Sequence, residues 1–145
     1  MKGKRILIIA ALVVMVLSCA SVQTKSHDVD LLRQRINAFY AAKIESDHKE
    51  AFKFENMSLD ERFTEKFYIT NASKSPMQFL DVRILSIELN DTKDVATVKM
   101  EAQVKLMPIS NFEKFEGEKT LPFEDRWEFK EGNWYHLIKG MTQYW

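Results

Sequence analysis

The 145-residue sequence has one cysteine, four glycines and three prolines. A single thiol cannot form an intrachain disulfide, so the fold has to be held by its buried core. Glycine occurs only as Gly3, Gly117, Gly132 and Gly140, which leaves no glycine-rich phosphate loop and no nucleophile elbow. No pair of His, Cys, Asp or Glu has metal-ligand spacing, so no metal site is indicated and no cofactor is implied. Charge of one sign is not in excess either: 21 Lys and Arg stand against 21 Asp and Glu, without a basic block. That balance argues against nucleic acid as a partner. Internal repeats and low-complexity tracts are absent. What the chain does have is ten Phe, four Tyr and three Trp, enough aromatic surface to build a core.

Long apolar runs are also scarce, and the one present is at the start. Lys2, Lys4 and Arg5 precede Ile6 to Leu17, and the run stops at Val16-Leu17-Ser18-Cys19. A positive n-region, an apolar h-region and a small residue at the end are the parts of a signal peptide. A transmembrane helix needs about 20 apolar residues; this run is shorter and is followed at once by Ser21, Gln23, Thr24 and Lys25. A lone thiol exported to an oxidising compartment would have no partner. The motif resembles the bacterial lipobox, which implies a diacylglycerol on the Cys19 sulfur, cleavage before Cys19 and a fatty acyl chain such as palmitate on the new amino terminus. Leu17 is larger than the residue usual at its place in that pattern.

The expected organisation is therefore a signal peptide over 1–18, a lipidated tether over 19–27 and a single α+β domain over 28–145. Removing 18 residues leaves 127, a normal size for one domain, with 18 basic and 21 acidic side chains and a net charge of about −3. The expected location is the bacterial cell envelope, with the membrane reached through the lipid. Ala20 and Ser21 lack the Asp that follows the cysteine in some inner-membrane lipoproteins, so in a Gram-negative host the resemblance favours the outer membrane, facing the periplasm.

From Asp28 the apolar spacing is helical: Leu32, Ile36, Phe39, Tyr40 and Ile44 recur at intervals of three and four, with Arg33, Gln34, Arg35 and Lys43 between them. Asp47-His48-Lys49-Glu50 reads as a capping box for a second short helix through Ala51 and Phe52. Ser58-Leu59-Asp60-Glu61 reads as another, leading into a third helix around Phe63 to Tyr68. After Asn71 to Pro76 the period becomes two. Phe79 to Leu89 is expected as a strand with a bulge near Ile84 and Leu85, where its apolar parity shifts. After the turn Asn90 to Asp94, Ala96, Val98, Met100, Ala102, Val104 and Leu106 alternate strictly with polar residues. Pro108 to Lys119 is expected as a connection. A hairpin then runs from Leu121 to Phe129, turns at Lys130-Glu131-Gly132-Asn133 and returns through Trp134 to Ile138.

Helices first and a strand meander afterwards give an α+β class with segregated elements. The segment Asp125-Arg126-Trp127-Glu128-Phe129-Lys130-Glu131-Gly132-Asn133-Trp134-Tyr135-His136-Leu137 resembles the closing hairpin of the nuclear transport factor 2-like superfamily, and the likeness extends over Asp28 to Lys139. The resemblance implies a cone in which N-terminal helices pack in a curved antiparallel sheet that wraps the first helix and can keep a pocket at its open end. Enzymes of that superfamily place carboxylates, tyrosines or histidines inside the cone.

Asp125 is the first candidate for such a role. It shares parity with Leu121, Phe123, Trp127 and Phe129, so alternation points its carboxylate inward, where burial would raise its pKa and suit it to acid–base work. The structural alternative is that Pro122 perturbs the strand, leaving Asp125 at a bulge or paired with Arg126 or another cation at the rim. His136 shares parity with Trp134 and Ile138 and reads as a half-buried packing residue. His27 and His48 fall in the tether and at a helix start, where exposure is the default. Phe39, Tyr40 and Trp127 would line any pocket, or else form plain core. The aromatic tail Gly140 to Trp145 fits over the cone mouth, on a partner chain or near lipid headgroups.

The residues and the resemblance together point to a membrane-anchored, non-enzymatic domain that binds a small apolar ligand or another envelope protein. One alternative is an isomerase-like or dehydratase-like enzyme with a pocket around Asp125, Tyr40 and His136. Another is a structural homodimer through the outer face of the sheet, against which Lys99, Glu101, Gln103 and Lys105 speak. The anchor has a direct check: metabolic labelling with a fatty acid should mark the wild-type protein, and Cys19→Ser should abolish the label and release the protein from the membrane fraction or block its processing.

Overall fold

The computed structural model describes residues 29–107 and 117–138. The leader, Cys19, the tether with His27, most of the Pro108 to Lys119 connection and the tail from Gly140 to Trp145 lie outside the described residues. Among the described residues no helix is long and apolar enough to cross a membrane.

Helix α1, Val29–Ile44, buries Leu32, Ile36, Phe39 and Tyr40 of the stripe that its spacing predicts, together with Ala42, while Ile44 at its end is only partly buried. The helix ends at a turn in which Ser46 takes a left-handed φ of 59° and the Asp47 N–H reaches back to the Ala42 carbonyl at 2.8 Å. Helix α2, His48–Phe52, begins where the capping box places it, with the Asp47 side chain accepting from the Glu50 N–H at 2.9 Å. The second box is not used. Asn56–Leu59 forms a single 3₁₀ turn, and Asp60 accepts from the Arg62 N–H at 3.0 Å and from its guanidinium. A side chain bonded into its own turn competes with helix formation. Helix α3 therefore starts later than expected, over Glu65–Ala72, with Thr64 as its cap accepting from the Phe67 N–H at 3.2 Å.

Four strands follow as an antiparallel meander in the order β1-β2-β3-β4: Met77–Leu89, Val95–Leu106, Gly117–Lys130 and Asn133–Leu137. The register of β1 on β2 shifts between Ile84 and Ser86, at the expected bulge, and again between Phe79 and Asp81. Each shift adds a residue to β1, and Leu85 at the second is left largely exposed. Two bulges in one long strand bend it and increase its twist, which lets the sheet curl around α1. Strand β2 carries the alternation most cleanly: Ala96, Val98, Met100, Ala102 and Val104 are buried. Its other face is wet, with Lys99 bonded to Glu88 at 2.8 Å and Arg83 to Glu101 at 2.9 Å. Strand β3 begins at Gly117, earlier than the expected Leu121, because Glu118, Lys119 and Thr120 pair with Lys105, Val104 and Gln103. The β3–β4 turn places Glu131 and Gly132 at φ 52° and 83°, the left-handed pair that matches strand twist in a two-residue hairpin.

Phe39 from α1, Val98 and Met100 from β2 and Trp127 from β3 share one core, with Trp134 from β4. Phe39 and Trp127 meet edge to face, with ring centroids 5.6 Å apart. Trp127 is 0% exposed. Trp127→Ala should therefore cost about 3–5 kcal/mol in denaturant unfolding. Trp127→Phe should cost less, since it keeps a ring and deletes an indole N–H that has no hydrogen-bond partner among the described residues.

Candidate functional site

Asp125 sits in unbroken register opposite Val98, with no bulge in β3, and its side chain enters the interior. Arg126, one residue on, is exposed on the opposite face and is not its partner. The partners come from the two elements packed against β3. From α1, the Tyr40 hydroxyl donates to Asp125 Oδ2. From β4, His136 Nε2 lies 3.2 Å from the same oxygen.

The chain continues past His136. Its Nδ1–H meets Glu55 Oε2 at 2.7 Å, and the Tyr68 hydroxyl of α3 donates to Glu55 Oε1 at 3.0 Å. The result is an interior row, Tyr40–Asp125–His136–Glu55–Tyr68, drawn from α1, β3, β4, the segment before the 3₁₀ turn and α3. Glu55 is the buried charged residue of the core, 2% exposed. Its backbone is extended there and bridges β4 in parallel: the His136 N–H donates to the Phe54 carbonyl at 2.7 Å. Arg35 fastens the same junction, its Nε donating to the Trp134 carbonyl at 2.6 Å while the guanidinium lies over the Phe54 ring.

His136, Asp125 and the two tyrosines are displaced by identifiable neighbours. Burial alone would push the His136 imidazolium down, but the hydrogen bonds and charges of Asp125 and Glu55 outweigh it and lift it from 6.5 to about 9. Both ring nitrogens therefore act as donors at neutral pH. Burial works to raise the Asp125 carboxyl, and His136, Tyr40 and the charge of Lys43 overcome it and hold it below its usual value. Of the two sequence readings of Asp125, the raised carboxyl is reversed, and pairing with a cation other than Arg126 is found, with His136 in the interior as that cation. The Tyr40 phenol is pushed well above its ordinary value by burial and by Asp125, and Tyr68 is pushed up by burial and by Glu55.

The structure brings together Tyr40, Asp125 and His136, the three residues of the acid–base alternative. His136 is the centre of the row and not merely a packing residue. Phe39 and Trp127 are completely buried and belong to the core, and of the three pocket-lining candidates only Tyr40 takes part in the row. Tyr40, Phe79 and Phe123 form a ring cluster beside it, with centroids 5.3, 5.7 and 5.9 Å apart. Phe79 and Phe123 are only partly buried, and sequence reading did not select them. His48 opens α2 and is partly buried instead of fully exposed. Glu55 was missed altogether; its only signal is an acid next to Phe54 and two residues before Met57. Among the described residues no group of three His, Cys, Asp or Glu is arranged to hold a metal ion.

No protein-family model matches the sequence, and comparison with curated proteins finds no match. Solved structures do resemble it. A SEC-C motif containing protein from Psychrobacter arcticus superposes with a TM-score of 0.53 at 13% identity, over 77% of this chain and 60% of that one, so this chain spans less than two thirds of its length. A protein assigned as a polyketide cyclase from Xanthomonas campestris gives 0.50 at 10% identity, over 79% of this chain and 94% of that one. A protein assigned as a nuclear transport factor 2-like transpeptidase from Campylobacter jejuni gives 0.47 at 17% identity, over 74% and 98%. The likeness is one of fold. Helices packed on a four-stranded, curved antiparallel sheet make this domain α+β, an architecture consistent with nuclear transport factor 2-like cones, and activity does not follow from it.

The row makes stability depend on pH in a defined sense. His136 is raised, so its contribution is complete below about 6.5 and is lost as pH climbs through about 9. Asp125 is lowered, so its contribution is complete above 3.8 and is lost as pH falls through its depressed value. Chemical denaturation should place maximum stability of the row between these limits, with a loss on the order of 3 kcal/mol between pH 6 and pH 10. His136→Gln should be less stable at pH 6 and should flatten the alkaline limb.

Proposed function

We propose that this protein is a lipid-anchored envelope domain whose cone binds a small apolar ligand, or the apolar segment of an envelope protein, without turning it over. The observation that carries the reading is that the proton donors of the interior row are engaged by protein carboxylates. Both nitrogens of His136 face carboxylates, and both tyrosine hydroxyls donate to those same carboxylates. A general acid needs a proton within reach of the substrate, and here the protons of His136, Tyr40 and Tyr68 are directed at Asp125 and Glu55. Phe79 and Phe123, partly exposed and packed against the buried Tyr40 ring, supply apolar contact surface next to the row. Lys2 to Arg5, the apolar run and Ser18-Cys19 support export and lipidation, and Ala20 and Ser21 favour the outer membrane of a two-membrane host, with the domain facing the periplasm. The salt-bridged outer face of the sheet weighs against an apolar homodimer there.

A second reading is an isomerase-like or dehydratase-like enzyme. It is favoured by the meeting of Tyr40, Asp125 and His136 and by the residual exposure of the Asp125 and His136 side chains, 13% and 12%. A thermal-shift screen of apolar compounds followed by mass spectrometry of the bound compound separates the two. Under the binding reading, stabilising compounds are recovered unchanged after prolonged incubation, and Asp125→Asn lowers the melting temperature while a compound that binds the wild type is still bound. Conversion of a compound by the wild type and not by Asp125→Asn would establish the enzyme instead.

A further inference from the structure

Lys43 stands in the last turn of α1, where a cation is favoured by the helix dipole. Its side chain does not simply extend into water. The ammonium lies 4.8 Å from the centroid of Phe39 and 5.5 Å from that of Phe79, over both ring faces. Among the described residues no carboxylate comes within ion-pair distance of it, although its charge reaches Asp125. The ammonium is thus held in place by ring faces, with its N–H donors unclaimed by described groups. Beside it lies the half-exposed apolar surface of Phe79 and Phe123, continued along the same face of β3 by the exposed Leu121.

We propose that Lys43 is the anion anchor of the binding site, and that the ligand is a free amphiphilic carboxylate whose head pairs with Lys43 and whose hydrocarbon body covers Phe79, Phe123 and Leu121. This rests on the binding reading given above. A fixed cation at the border of an apolar patch matches a charged head joined to an apolar body, and a purely apolar ligand would leave the ammonium without a use. His136 offsets one of the two carboxylates beside it, Asp125 and Glu55, so the row opposes the head with a single net negative charge.

Titration of the full chain with decanoate, decanol and decyltrimethylammonium, followed by calorimetry or Trp fluorescence, tests the assignment. Decanoate should bind about tenfold more tightly than decanol, a difference of the size expected for a hydrogen bond to a charged group. Lys43→Met should remove that preference and leave decanol affinity unchanged, and Lys43→Arg should keep it. Equal binding of decanoate and decanol to the wild type, or a decanoate preference that survives in Lys43→Met, would overturn the anchor while leaving the binding reading standing. Preference for decyltrimethylammonium would assign the site to cations and overturn it as well. Binding of none of the three would overturn the anchor and the apolar-ligand reading together. A lower melting temperature in Lys43→Met with unchanged ligand preference would show that Lys43 only balances the buried charges.

Discussion

An imidazolium enclosed by two carboxylates is the interaction on which the arrangement of this domain depends. His136 joins Glu55 on the helical side to Asp125 on the sheet, and the two tyrosines bring α1 and α3 to the same row. Desolvating such charges is expensive, and a well-packed apolar substitute is often as stable. The row is therefore better understood as a device that fixes geometry. Apolar contacts between α1 and the sheet tolerate sliding, whereas hydrogen bonds of this kind tolerate very little. Removing one member leaves the others buried and uncompensated, which is the costly case.

The curvature that makes this enclosure feasible comes from β1. Its two register shifts bend the strand over α1, while β2 and β3 pair without interruption from Leu106–Gly117 to Val95–Glu128. The inner face can then present Val98, Met100 and Trp127 to Phe39. The outer face is occupied by cross-strand ion pairs, which keep it in water and leave the concave side as the place where apolar surface is gathered.

Much of this was legible in the sequence where the signal was local. The helical stripe of α1, the strict alternation of β2, the Asp47 cap, the parity shift at Leu85 and the Gly132 turn each depend on neighbours within a few residues, and each appears as read. Asp125 was legible in direction, from parity, and misread in electrostatics, because Tyr40 and His136 arrive from distant elements. Glu55 left almost no trace, since its role is set by a strand 81 residues away. The competition between Ser58 and Thr64 as helix caps was decided by Asp60 closing on Arg62, a choice between two local motifs that spacing alone does not rank. The early start of β3 was hidden by the polar run Glu118-Lys119-Thr120, whose strand character comes from pairing with β2.

The separations within the row bear on how the molecule is made. Tyr40 and Asp125 are 85 positions apart, Glu55 and His136 are 81, and the histidine lies on the last strand of the sheet. During vectorial synthesis or translocation the two carboxylates are present before the cation that reconciles them. A chain without β4 would hold Asp125 and Glu55 without the imidazolium that joins them, and burying either would favour its protonated form.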